Sequence, residues 1–132
     1  MMQILQPPGW ARAKGFSNGI AASGKLVFIA GQVGWTGEGK WQALDFAGQF
    51  KQSIKNILEV LAQAGGKPEH IVRLTWYVLD KGEYTRSLKA VGEAYRELMG
   101  RHYPTMAVVQ VSGLVEDEAR LEIEATAVLP EK

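Results

Sequence analysis

The nine residues from Ile71 to Leu79, IVRLTWYVL, decide how the rest of the chain is arranged. The run is β-branched and aromatic, of strand length, and apolar on both alternations except at Arg73 and Thr75, which predicts a central strand covered on both sides. Two amphipathic segments flank it. Before it, Phe46, Phe50, Ile54, Ile57, Leu58 and Leu61 recur at three- and four-residue spacing between Asp45 and Ala64. Gly65-Gly66 then stops the pattern, which predicts a helix. After it, Tyr84, Leu88, Val91, Tyr95 and Leu98 alternate steps of four and three, so all five share one stripe of a second helix that ends at Gly100.

Strands are expected towards both ends. Lys25 to Ala30, KLVFIA, reads as one, and a preceding strand around Phe16 to Ala22 is expected to pair with it through a two-residue turn at Ser23-Gly24. Thr105 to Val111 and Arg120 to Val128 supply two more, joined by a polar loop through Glu116, Asp117 and Glu118. The order β-β-α-β-α-β-β predicts an α+β fold, a mixed sheet with two helices on one face. Leu121, Ile123, Ala125 and Ala127 then face the helices, while Glu122, Glu124, Thr126 and Val128 alternate to the opposite side. Met106, Val108 and Gln110 oppose Ala107, Val109 and Val111 in the same way. A second face that mixes apolar residues with carboxylates and amides fits a subunit interface better than plain solvent exposure.

Composition narrows the function classes. A chain of 132 residues, 46% hydrophobic and 22% charged, is expected to form a single domain over residues 1–132 with a sizeable core. The opening MMQILQPPGWARAKG has no apolar run of signal-peptide length, and nowhere do about 18 apolar residues run uninterrupted, so a soluble cytoplasmic protein without a membrane partner is expected. With no cysteine there is no thiolate nucleophile, sulfur-ligated zinc or disulfide. The 15 basic and 14 acidic residues are scattered, so nucleic acid, which needs a concentrated basic footprint, is not an expected partner. His70 and His102 flank strands and are isolated in sequence; they read as surface or capping residues, and no metal is expected. The loop WTGEGKW, Trp35 to Trp41, reads either as a lid or as tryptophans packed on the body of the domain. Its glycines match no phosphate-binding loop.

Several short stretches carry a resemblance. GFSNG, FIAGQVG with Ala30-Gly31-Gln32 similar to a Ser-Gly-Gln, Ile71-Val72-Arg73, Tyr103-Pro104 and Leu121-Glu122-Ile123-Glu124-Ala125 together resemble, in order and spacing, the RidA (YjgF-type) family over nearly the whole chain. The resemblance implies a chorismate-mutase-like fold assembled as a homotrimer, with three small-molecule clefts between adjacent subunits. It also implies hydrolysis of reactive enamines and imines such as 2-aminoacrylate to 2-oxo acids and ammonia, with no cofactor. In that chemistry an arginine clamps the substrate carboxylate through its bidentate fork. A carboxylate beside the cleft positions water and moves protons.

Residue by residue, the resemblance places Phe16 where the family has a tyrosine, Ala30 where it has the serine, Lys89 where it often has an asparagine and Val108 where a cysteine is frequent. Gly31 and Glu122 are kept. The position of the arginine holds Met106, whose thioether cannot clamp a carboxylate. The expected site is therefore Glu122 as the water-positioning catalytic group, in a cleft with Phe16, Ala30, Gly31, Lys89, Met106 and Val108. Its substrate is expected to be shifted away from small 2-imino acids, as the family's aminomuconate deaminases suggest by analogy. Alternatives stand beside each element: Glu122 as a structural acceptor at the trimer seam, Lys89 as a solvated helical lysine, and the whole as a non-catalytic small-molecule-binding or chaperone-like trimer. RNA cleavage, attached to some relatives, lacks here a basic run or a histidine pair for acid–base work.

Overall fold

The computed structural model describes residues 2–131. In chain order they form β1 (Met2–Leu5), β2 (Gly19–Ala22), β3 (Lys25–Gln32), α1 (Phe46–Ala62), a 3-10 turn (Pro68–His70), β4 (Ile71–Val78), α2 (Lys81–Arg86), α3 (Leu88–Met99), β5 (Thr105–Gln110) and β6 (Leu121–Leu129). The main sheet runs β3-β6-β4-β5, with β4 and β5 parallel and the other pairs antiparallel. β4 has a partner on each side, as its sequence requires.

The helices α1 and α3 cover one face of this sheet. Phe50, Ile54, Ile57 and Leu61 of α1 are fully buried against Ile71, Leu74 and Val78 of β4 and Leu121, Ile123 and Ala127 of β6. The three-four spacing supplies the apolar stripe and the two-residue alternation supplies the floor. α1 ends as its glycines dictate. Gly65 takes a left-handed φ of 78°, its N–H donates to Ala62 O, and the Gly66 N–H donates to Leu61 O, closing the last turn in a Schellman arrangement. Gln49, fully buried, ties the layers together: its amide donates to Ala43 O and Glu118 O and accepts from the Arg120 N–H at 2.8 Å.

Three sequence expectations change. β2 does not pair with β3; it pairs antiparallel with β1, a strand the Pro-Pro-rich N-terminus did not announce, in a separate two-stranded sheet. The reason lies at Gly24, whose φ of 145° carries the chain hard against the Leu129–Pro130 backbone, so that Ser23-Gly24 passes between sheets instead of closing a hairpin. β3 takes β6 as its partner. The second helix is two, broken at Ser87, and the residues it buries are Val91, Tyr95 and Met99, with Leu88 half exposed at 50%. Among the described residues, no helix is long and apolar enough to cross a membrane.

Candidate functional site

A cleft of about 460 Å³ opens on the helix side of the sheet, at the β5 edge. Met106 and Val108 stand in register with Leu74 and Trp76 of β4, whose side chains belong to the core, so both point to the helix side and into the cleft. Phe16 arrives from the N-terminal segment. Gly15 turns the chain at φ 76°, the Ser17 N–H donates to Pro104 O at 3.1 Å, and Ser17 bridges to Thr105, laying Phe16 along the sheet edge. Across from them, α3 presents Leu88, Val91, Gly92, Tyr95 and Arg96, and Lys14 stands at the mouth.

The cleft is held by aromatic packing. Phe50 stacks on Trp76 with ring centroids 4.8 Å apart, and Tyr84 meets the edges of Trp76 and Phe46. Tyr103 stacks on Tyr95 at 5.2 Å, and the Tyr95 hydroxyl donates to His102 O at 2.6 Å. Burial, with Tyr103 as a lesser cause, raises the Tyr95 phenol well above its ordinary range, so it is a fixed neutral donor. The buried Trp76 indole N–H has no partner among the described residues.

The opposite face of the sheet carries a second constellation. Glu122 pairs in register with Tyr77, and Glu124 with Thr75, between the inward-facing Leu121, Ile123 and Ala125. β3 bulges between Ile29 and Gln32, and the Glu122 carboxylate lies on the bare backbone of Gly31: a β-carbon there would collide with Oε2 and sit 2.8 Å from Cδ. A side chain at 31 would therefore displace the Glu122 carboxylate from this seat. Glu122 makes no side-chain hydrogen bond among the described residues, whereas Glu124 accepts from the Tyr77 hydroxyl. That hydrogen bond is the main cause raising the Tyr77 phenol above its usual value, with Arg73 opposing it. Around them Phe28, Leu26 and Val109 are exposed at 73%, 58% and 42%, an apolar margin that a lone subunit would leave wet.

The structure thus gathers Phe16, Met106 and Val108 in one cleft and Gly31 and Glu122, with Ala30 exposed at the same bulge, on the other face. Lys89 joins neither group. It is exposed on α3, about 100° around the helix from Leu88, while the turn facing the cleft is continued by Gly92 and Arg96. Arg96, Lys14 and the aromatic wall other than Phe16 are not expected from the sequence, where Tyr84 and Tyr95 read only as members of one helical stripe. A signal existed in Gly92, since a glycine inside a good helix marks a place where something else lies close. His70 Nδ1 accepts from the Lys67 N–H at 3.0 Å as a cap, and His102 Nε2 bonds Ile71 O at 2.6 Å. Trp35 and Trp41 pair across a small ladder, held to α1 by the Asn56 amide donating to Trp35 O at 2.7 Å.

An α+β sheet with helices on one face carries an aromatic cleft at its parallel edge and a carboxylate seated on a glycine bulge, on a chorismate-mutase-like frame. The comparisons agree on a family. The sequence model described as Endoribonuclease L-PSP matches residues 9–129. A RutC family protein of Pyrococcus abyssi is 32% identical over 105 residues, 79% of each chain. The human 2-iminobutanoate/2-iminopropanoate deaminase is 30% identical over 105 residues, 79% of this chain and 73% of that protein. A solved structure, YyfB of the Rid family from Yersinia pestis, a protein of unknown function, superposes with a TM-score of 0.86 at 31% identity over 97% of this chain and 98% of the other. The chain belongs to the RidA (YjgF-type) family.

Proposed function

We propose that the protein is a hydrolytic deaminase of enamines or imines, acting in clefts formed between copies of itself, with Glu122 positioning water. The observation that carries this reading is the Glu122 carboxylate, without a side-chain hydrogen bond among the described residues and held on the bare backbone of Gly31. The human relative's name, a 2-iminobutanoate/2-iminopropanoate deaminase, supports the reaction class. Water adds to the C=N carbon, the nitrogen takes up protons, and the resulting carbinolamine expels ammonia as the carbonyl forms. No electrons change hands and no cofactor is called for.

In one copy Glu122 and the Met106 cleft lie on opposite faces of the sheet. A site using both takes one set from each of two copies, and the exposed Leu26, Phe28 and Val109 supply the apolar margin such a contact buries. A homotrimer satisfies this with three equivalent clefts. Met106 in the arginine position shifts the substrate away from small 2-imino acids, because an uncharged thioether gives a small carboxylate nothing to bind.

The test is ammonia and 2-oxo acid release from freshly generated 2-aminoacrylate and 2-iminobutyrate. We expect slow turnover by the native protein and a gain of roughly tenfold or more in kcat/KM for Met106→Arg, the range of a charge-assisted hydrogen bond. A Met106→Arg protein no faster than native would remove the proposed substrate shift. Gly31→Ala is expected to push the Glu122 carboxylate out of place and to lower kcat about a hundredfold, the scale of a misplacement near 1 Å. Unchanged turnover in Gly31→Ala would detach Glu122 from the reaction.

A further inference from the structure

The cleft beside Met106 keeps two cations, Arg96 of α3 and Lys14 of the N-terminal segment. Among the described residues no acidic side chain lines it, and the ion pairs they form, Lys51–Glu97, Arg86–Asp80 and Arg120–Glu83, all lie outside the cleft and leave both cations without a carboxylate. Arg96 is also placed. Its Nη1 lies 3.3 Å from where a β-carbon of Gly92 would be, so the guanidinium leans back over the preceding turn of α3 through the gap the glycine leaves. A β-carbon at 92 would make the guanidinium give by a few tenths of an ångström. The remaining wall is aromatic and aliphatic: Phe16, Trp76, Tyr84, Tyr95 and Tyr103, with Leu88.

We infer that this cleft takes an aryl-substituted 2-imino acid, its ring among Phe16, Trp76 and Tyr103 and its carboxylate on the Arg96 guanidinium, with Lys14 adding charge at the mouth. The inference rests on the deaminase reading above for the imine and on the cleft alone for the ring and the anion. Three features converge on it. A cleft of about 460 Å³ is in the range that holds drug-sized ligands, far more room than a three- or four-carbon imine fills. Its walls offer π faces for stacking. Its charges among the described residues are both positive, and one of them is a planar fork suited to a carboxylate. The arginine absent at position 106 thus has a counterpart on the facing helix, displaced to make room for a larger body.

The test is calorimetric binding of three stable probes: phenylpyruvate, the 2-oxo acid such an imine would yield; pyruvate, which lacks the ring; and phenylacetone, in which a methyl replaces the carboxylate. The native protein is expected to bind phenylpyruvate at least about tenfold more tightly than either of the others. Arg96→Gln, a change at an exposed side chain, should weaken phenylpyruvate about tenfold while leaving phenylacetone unchanged, and Arg96→Lys should recover part of the loss. Equal affinity for phenylpyruvate in native and Arg96→Gln proteins overturns the anchor. Equal affinity of the native protein for phenylpyruvate and pyruvate, or no binding of either, overturns the ligand class. Turnover is read separately, as ammonia released from the imine made in situ from phenylalanine by an amino acid oxidase. Selective phenylpyruvate binding without any acceleration of ammonia release over the spontaneous rate would refute the deaminase reading and leave the ligand class standing. Ammonia release with the same KM in Arg96→Gln would leave the deaminase reading standing and overturn the anchor.

Discussion

Glu122→Gln is expected to lower kcat for imine hydrolysis by about 10²- to 10⁴-fold, the contribution of a positioned general base, with little change in the affinity for the 2-oxo acid product. The glutamine keeps the shape of the side chain and so its seat over Gly31. What it loses is the capacity to take a proton from water as the C=N carbon is attacked. The half-buried position and the lack of a side-chain hydrogen bond within the described residues make a large loss of subunit stability unexpected. The rival role, an acceptor at a seam between copies, leaves a different signature. Sedimentation would then show altered assembly, and turnover per intact oligomer would match the native protein. Retention of native kcat with native assembly removes Glu122 from both roles.

Phe50→Ala is expected to cost about 3–5 kcal/mol, read as a lowered urea midpoint with an unchanged slope. Phe50 is fully buried, stacks on Trp76 at 4.8 Å and belongs to the cluster that joins α1 to β4 and β6. A typical domain has only about 5–15 kcal/mol in hand, so the change takes much of it. Its effect reaches the site through Trp76, which lines the cleft on its other side. With the stack gone, the indole gains freedom, and aromatic ligands should bind more weakly at temperatures where the variant is still folded. Phe50→Leu, which keeps most of the volume, should recover most of the stability. A loss below about 1 kcal/mol in Phe50→Ala would show that the neighbouring side chains collapse into the space, against the close packing seen here.

Much of the frame was legible in the chain. The two-sided apolar run of Ile71–Leu79 announced an interior strand, and the spacing from Phe46 to Leu61 with Gly65-Gly66 announced α1 and its end, because each pattern follows from burial of one element against the next. The alternation of Leu121, Ile123, Ala125 and Ala127 with Glu122 and Glu124 announced which face of β6 meets the helices. The partner of β2 was not legible. Strand pairing at that point depends on where Gly24 meets Leu129 and Pro130, more than 100 residues away, and a turn-like dipeptide carries no such information.

The candidate site divides along the same line. Composition and the period of each element determined that the chain folds as an α+β sheet with one helical face, and residue identity alone settled that position 106 offers a thioether and not a guanidinium. Only the tertiary structure decided that Met106 and Glu122 stand on opposite faces, that the Glu122 carboxylate lies on the bare backbone of Gly31, and that Arg96 rather than Lys89 lines the cleft. The physical reason is that periodicity records which side of an element is buried, a local property. Which charged side chain from one helix reaches a pocket built by a distant strand depends on how the layers are stacked, and that is set by the packing of the whole core.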